Sequence, residues 1–443
     1  MLTKTFHGGI HLSERKDSTV DKKIKSILPP KEIFLSLRQN IGAPNKPVVN
    51  AGDPVKLGQL VGDSEAFISS PVHSPVSGKI KAIKDVYNPT YGKCPSIIIE
   101  NDGKEEIFKP QNAPKNVKDM TPEELISVIR SSGVVGLGGA AFPTHVKLNI
   151  PEGKEINTLI INGAECEPYL TCDHRLMAEK TDEIIKGIFI IFRILGVKNI
   201  FIAIEENKMS AIFAIKKFIP GLRERCAGAR VEMIVLKTKY PQGGEKQLIK
   251  SILKKEVPPG KLPLDIGVVV QNVGTCYSVY QAVHEGKPLI ERCITLTGGC
   301  LNEPGNFLIR IGTLLSEAIN ACGGLKEKPA KIISGGPMMG VTQFSLDIPV
   351  IKGMTGVIFL SKKESELFEE LPCIRCGKCV DICPVNLLPT DIMRMTKYSR
   401  WHYIEDLHAS DCLECGSCAY ICPSRIPLVQ YIKLAKQKEM EKR

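Results

Sequence analysis

Half of the sixteen cysteines fall into two copies of one pattern, Cys373-x-x-Cys376-x-x-Cys379-x-x-x-Cys383-Pro384 and Cys412-x-x-Cys415-x-x-Cys418-x-x-x-Cys422-Pro423. Thiolates so spaced could hold iron–sulfur cubanes, hold zinc, or pair as disulfides. Structural zinc uses separated C-x-x-C pairs, often with His, and has no use for a third cysteine three residues on and a fourth four beyond that. Disulfides fit worse, because no secretory signal is visible and the other cysteines are scattered singly. Iron–sulfur chemistry uses every thiol of both runs and moves electrons one at a time. The Pro after each fourth cysteine turns the chain away where its fixed φ and missing N–H are tolerated. Cys94, Cys166, Cys172, Cys226, Cys276, Cys293, Cys300 and Cys322 read instead as small core residues.

A second constellation lies upstream. Gly133-Val-Val-Gly136-Leu-Gly138-Gly139-Ala-Ala-Phe142-Pro143-Thr144 is dense enough in glycine to let backbone N–H groups approach a phosphate without Cβ interference. Alone the pattern is as consistent with a tight turn. It is joined by Asn162-Gly-Ala-Glu165-Cys-Glu167-Pro168, Tyr240-Pro-Gln-Gly243-Gly244-Glu245 and Gln271-Asn272-Val-Gly274-Thr275, each after an expected strand.

The elements that must carry these residues form an α/β pattern. Thr121-Pro-Glu-Glu124 starts a helix with Thr as N-cap, Pro at N1 and Glu at N3. Strands at 157–161, 199–204, 231–236 and 267–270 alternate with helices, the signature of a parallel sheet, whose ligand site belongs at the strand C-termini. Before it, residues 1–115 read as short strands punctuated by Gly, Pro and Asp, closed by a polar linker at 101–119. After it, 289–350 returns to strand and turn with a helix near 314–321, and 361–443 carries the cysteines, with a helical stretch around Trp401 between the runs. His7, His11 and His73 read as ordinary isolated histidines.

At 443 residues the chain is long enough for several cores. Hydrophobic content of 43% and charged content of 24% suit a globular chain. The most apolar stretch, 184–197, contains Lys186 and Arg193 and is too short to span a bilayer. Net charge of +11 favours any anionic partner, but no basic stripe interleaved with aromatics and no recognition-helix module points to nucleic acid. Reduced cysteines place the chain in the cytoplasm.

The cysteine runs resemble those of bacterial two-cluster ferredoxins, which implies that Cys373, Cys376 and Cys379 share a [4Fe-4S] cluster with Cys422, and Cys412, Cys415 and Cys418 share one with Cys383. The stretches at 51–60 and 74–80 resemble the hairpins of biotinyl and lipoyl carriers. The turn at 69–73 lacks the modified lysine, so a barrel-sandwich scaffold is implied rather than a carrier.

Residues 121–350 resemble the flavin-binding subunit of respiratory complex I and of NAD-linked hydrogenases. That likeness implies non-covalent FMN held by Gly136, Gly138, Gly139, Lys147, Asn162, Tyr240, Gly243, Gly244, Glu245, Asn272 and Thr275, with Glu165 at its edge. It also implies that Phe142 and Glu167 meet NAD(H). Leu137, Ala164 and Gln271 depart from that pattern, replacing an arginine, an acidic residue and an asparagine.

Over its whole length the chain resembles the RnfC proteins of Rnf complexes, the ion-translocating ferredoxin:NAD oxidoreductases. The resemblance implies a multidomain α/β protein: an N-terminal barrel-sandwich hybrid at 1–115, a Rossmann-like FMN/NADH-binding α/β domain at 121–288, an SLBB-like β-grasp module at 289–350 and a two-cluster ferredoxin domain at 361–443. It implies an NADH-linked oxidoreductase without side-chain acid–base or nucleophilic catalysis. Hydride carries two electrons and a cubane accepts one, so a flavin must divide the pair. The implied partners are the other Rnf subunits, those in the membrane and the ferredoxin-like RnfB, which would hold the chain at the cytoplasmic face of the membrane. Rival readings are a soluble cobalamin reductase of propanediol-using microcompartments and a flavin-free electron conduit.

Overall fold

A computed structural model describes residues 3–109, 117–366 and 368–441; part of the expected 101–119 linker lies outside that range. At the centre is a four-stranded, wholly parallel sheet. Its strands stand in the order Arg230–Leu236, Asn199–Glu205, Thr158–Gly163, Val268–Asn272. They are continuous Val/Ile runs, as strands covered on both faces must be. Strand order reverses beside Thr158–Gly163, the place where open α/β sheets leave a crevice.

The helices that flank the sheet follow local rules. Pro122–Ser131 begins with the expected capping box: the Thr121 hydroxyl accepts from Glu124 N–H at 3.3 Å, and the Glu124 carboxylate accepts from Thr121 N–H at 2.9 Å. The apolar stretch forms the helix Thr181–Leu195, closed by Gly196 in the left-handed region. This helix crosses Val273–His284 so closely that a Cβ on Gly187 would lie 1.9 Å from the Cys276 carbonyl oxygen.

The barrel is built on the hairpin Gly78–Asn88/Gly92–Asn101, with Glu32–Ser36 and Pro54–Val55 completing one sheet and Lys46–Pro47, Leu60–Asp63 and Val72–His73 forming another. Its core extends beyond it: Val135, Leu137 and Ala141 of the glycine loop pack with Ile33, Val61 and Ile97. The turn that would present a carrier lysine is buried. Lys352, arriving from the module at the other side, donates its ammonium to the carbonyls of Pro71 at 2.6 Å and Gly133 at 2.7 Å. Burial, with Lys352 nearby, pushes His73 down to about 3, so this histidine is neutral packing.

Residues 4–27 leave the barrel. Lys4 bridges to Leu236 and Ile10 to Tyr240, while Lys25–Ser26 pairs with Gly305–Arg310 as the edge of a six-stranded sheet. That sheet also reaches past residue 350, since Gly356–Leu360 runs between Glu291–Thr297 and Lys331–Ser334. The last module packs Pro389–Lys397 against Leu428–Glu441 around a core containing Cys379, Cys383 and Cys418. Among the described residues no helix is long and apolar enough to cross a membrane.

Candidate functional site

Two asparagines end neighbouring strands in register, Asn162 beside Asn272, and a cavity of about 450 Å³ opens there. Gly136, Gly138, Gly139, Phe142, Lys147, Asn162, Glu165, Glu167, Tyr240, Gly243, Gly244, Glu245 and Asn272 all line it. Thr275 does not. It is fully buried behind the glycine loop, where its hydroxyl accepts from Leu137 N–H at 3.0 Å. Arg292 holds the other side of the same residue, donating to the Leu137 carbonyl at 3.1 Å. Leu137 departs from the flavoprotein pattern because its side chain belongs to the barrel core.

Each wall is braced. Asn162 donates to the Gly243 carbonyl at 2.9 Å and accepts from Ala164 N–H at 3.1 Å. Asn272 donates to Asp173 at 2.7 Å and accepts from Gly274 N–H. Lys147 pairs with Glu245 at 2.6 Å. Gly138 leaves no room for a side chain, since a Cβ there would lie 2.5 Å from Asn272 Nδ2. Glu165 faces the cavity but spends its carboxylate on the N–H groups of Asp173 and His174, the start of the helix Cys172–Glu179.

Glu167 is similarly engaged. Its two oxygens accept from Met338 N–H at 3.0 Å and Met339 N–H at 2.9 Å, drawing the 334–340 turn over the cavity, where Met339 becomes part of the wall. Burial pushes this carboxyl up to about 7, and Asp173 to about 6. Cys166 and Gln271, which the motifs contain without a role, also line the cavity, as do Asp173, Cys172, Met339 and Thr355, which neither motif nor resemblance marks. For Asp173 the available signal is a carboxylate at the start of an amphipathic helix; for Met339 and Thr355, far away in sequence, there is none.

The cavity fits a flavin by its donors as well as its place. Gln271 Nε2 is buried, lines the cavity and has no hydrogen-bond partner among the described residues, which is costly unless a bound group supplies an acceptor. Gly139 faces open space, so its backbone is accessible to an anion.

The cysteine runs fold alike. Arg375 and Glu414 have φ of 56°, Gly377 and Gly416 have φ of 74° and 82°, and Asn386 and Arg425 have φ of 56° and 54°. Corresponding backbone N–H groups point at sulfur, Arg375 to Cys373 at 3.4 Å and Glu414 to Cys412 at 3.3 Å. Cys383 converges with Cys412, Cys415 and Cys418 on one small cavity; Cys379 has both Cys422 and Cys376 near it. The group of three metal-capable side chains within 4.8 Å of one another among the described residues is Glu165, Cys172 and Asp173. Among the described residues no three of the cluster sulfurs come within 4.8 Å of one another, whereas ligand sulfurs on a tetrahedral zinc lie about 3.8 Å apart at Zn–S ≈ 2.3 Å.

Flavin cavity and cysteine module share a wall. The Tyr240 hydroxyl donates to the Cys415 carbonyl at 2.7 Å. Met338 packs with Tyr240, Cys415 and Cys166, and a Cβ on Gly416 would lie 3.1 Å from the Met338 carbonyl oxygen.

Comparison with known proteins agrees with this anatomy. Residues 4–104 match the RnfC barrel sandwich hybrid domain, 129–281 the Nuo51 FMN-binding domain, 293–342 the SLBB domain and 372–426 the 4Fe-4S dicluster domain. An NAD+-reducing [NiFe]-hydrogenase shares the fold at TM-score 0.54 and 16% identity, over 74% of this chain and 65% of that one. The RnfC-type component of the Na(+)-translocating ferredoxin:NAD(+) oxidoreductase complex of Acetobacterium woodii is 43% identical over 99% of this chain and 98% of its own length. Its counterpart in the proton-translocating complex of Clostridium ljungdahlii is 47% identical over 98% of this chain and 94% of its own. The chain belongs to the RnfC family, a component of the ion-translocating ferredoxin:NAD(+) oxidoreductase, or Rnf, complexes.

Proposed function

We propose that this chain exchanges hydride between NAD(H) and FMN held in the 450 Å³ cavity, and relays single electrons through two [4Fe-4S] clusters to or from partner subunits at the cytoplasmic face of the membrane. When bound, the flavin and clusters supply the conversion between electron pairs and single electrons. The protein's own task is placement.

The glycine loop, gripped at Leu137 by Thr275 and Arg292, offers its backbone to the phosphate. Lys147, Asn162, Gln271 and Asn272 frame the polar edge, and Phe142 offers an aromatic face to nicotinamide. Glu167 acts on the nucleotide indirectly, by holding the Met338–Met339 turn. Cys383, Cys412, Cys415 and Cys418 would ligate the inner cluster, and Cys373, Cys376, Cys379 and Cys422 the outer one. Backbone N–H groups aimed at ligand sulfur stabilise the charged thiolates and raise the cluster potential.

The observation that carries this reading is the hydrogen bond from Tyr240, a wall of the flavin cavity, to Cys415 of the inner cluster site. Anaerobic reconstitution tests it. The expected product is a yellow protein whose flavin band is bleached by NADH. Full iron content with no flavin and no response to NADH would replace it with a bare electron conduit.

A further inference from the structure

Between the flavin domain and the cysteine module runs a stretch that belongs to neither, Phe6-His7-Gly8-Gly9-Ile10-His11. On one side it is fastened to the flavin domain. Ile10 and Tyr240 exchange both backbone hydrogen bonds, each 2.8 Å, as a closely spaced antiparallel pair does. Lys4 N–H donates to the Val235 carbonyl at 3.0 Å. Lys239 donates its ammonium to the Phe6 carbonyl at 2.9 Å and lies 4.4 Å from the centre of the Phe6 ring. On the other side the stretch meets the inner cluster site. Gly9 N–H donates to the Ile382 carbonyl at 2.7 Å, one residue before Cys383, and Gln247 Nε2 donates to the Pro384 carbonyl, one residue after it, at 3.4 Å.

Two glycines make this contact. Gly8 and Gly9 have φ of 77° and 72°, the left-handed region that Gly enters without steric cost. A Cβ on Gly8 would lie 2.9 Å from the Cys383 carbonyl oxygen, and one on Gly9 would lie 2.5 Å from the Tyr240 carbonyl oxygen. Backbone therefore meets backbone on both sides, with no side chain between. Ile10 closes the joint, buried with Tyr240 and Cys415, and Ile382 and Leu413 pack on the same group. Tyr240 acts twice here: its hydroxyl holds the Cys415 carbonyl and its backbone holds the strap. The inner cluster site is thus gripped at two peptides, 382 and 415, from one pair of strands.

Each NADH oxidised, NADH → NAD+ + H+ + 2 e−, releases its proton to solvent and sends its two electrons across this joint, one for each cluster. Tunnelling falls exponentially with separation, so a small displacement here slows transfer without touching the hydride step. We infer that the Phe6–Ile10 strap is the spacer that sets the distance and orientation of the inner cluster relative to the flavin, with Gly8 and Gly9 as positioning residues for electron transfer. This rests on the relay reading above and gives a task to a segment outside both cofactor sites.

The test follows three rates in the reconstituted holoprotein. They are bleaching of the flavin band by NADH, reduction of the clusters by reduced methyl viologen, and passage of electrons from flavin to cluster, read by rapid-freeze electron paramagnetic resonance after mixing with NADH. In Gly8→Ala the new methyl presses on the Cys383 peptide. The third rate should fall about 10- to 100-fold, as a misplacement of about 1 Å can cost, with the first two rates and the flavin and iron contents unchanged. Lys239→Met, which frees the Phe6 carbonyl, should slow the third rate alone and by less, and Lys239→Arg, which restores a donor, should return it towards wild type. This second variant keeps the proposal open to refutation if Gly8→Ala loses its inner cluster. Hydrogen exchange should quicken in both variants at residues 6–12 and 380–386 and stay unchanged at 373–376. Three rates falling together, or a third rate that stays at the wild-type value while exchange quickens, would overturn the spacer. Wild-type flavin that NADH fails to bleach would instead sink the hydride reading itself.

Discussion

The two cysteine runs share a backbone and differ in surroundings. Matching residues take the same left-handed φ, and matching N–H groups point at the first cysteine sulfur of each run. Yet Cys415 and Cys418 are buried against Tyr240 and the module core, whereas Cys373 and Cys376 are exposed. Cys373 opens onto a hollow of about 690 Å³ with Arg375, Arg394 and Lys397 among its walls. On the function proposed above, one local fold serves as an inner station facing the flavin and an outer station open to a partner. Solvent exposure is one of the levers on cluster potential, so the two stations are expected to differ electrochemically.

The harshest way to break this contrast is to delete a station. Cys415→Ala and Cys376→Ala should each lower iron content by about half, as loss of one of two four-iron clusters requires. Both should abolish electron delivery to partner subunits while NADH still bleaches the flavin. An unimpaired rate to the partner in either variant would show that the stations are not in series.

Next comes the flavin end. In Gly138→Val the new side chain meets Asn272, and overpacking typically costs about 1–3 kcal/mol, so FMN affinity should weaken about 5- to 150-fold. Both clusters should survive. Full flavin occupancy by absorbance after gel filtration would refute the placement of the loop.

Smaller still is Tyr240→Phe, which keeps the packing and removes the hydroxyl from the Cys415 carbonyl. A buried carbonyl left without its donor costs about 1–3 kcal/mol. The melting temperature should drop modestly, and flavin-to-cluster transfer should slow more than NADH-to-flavin transfer; a thermal melt and one stopped-flow series read the two effects.

The least effect is a pH slope. Glu167 is held near 7 in the fold, above the usual carboxylate value of about 4.3. Between those values the native state binds more protons than the unfolded chain, so its contribution makes stability fall as pH rises towards 7. Glu167→Gln should flatten the melting temperature between pH 5 and pH 7.5 relative to wild type. A steeper slope in the variant would contradict the assignment.

The inner station is only half legible in the sequence. Spacing locates both cysteine runs and the parallel strands, because short-range ligand geometry and Val/Ile runs are local properties. The glycine loop and the Asn162 and Asn272 strand ends follow from the same locality, together with a family resemblance. What escapes is assembly. Residues 4–27 read as part of the barrel, yet they add to two other sheets, and pairing across more than 200 residues leaves no periodic trace. Thr275 faces the back of the loop that the resemblance has it serve from the front. The Met338–Met339 turn joins Glu167 to Cys415 through contacts far apart in sequence.

Rapid-freeze electron paramagnetic resonance after mixing with NADH tests the order of stations most directly. In Cys376→Ala, which keeps the inner cluster, the reduced-cluster signal should rise as fast as the flavin band bleaches. In Cys415→Ala, which keeps only the outer one, it should lag far behind. Equal rates in the two variants, or a faster signal in Cys415→Ala, would contradict the account.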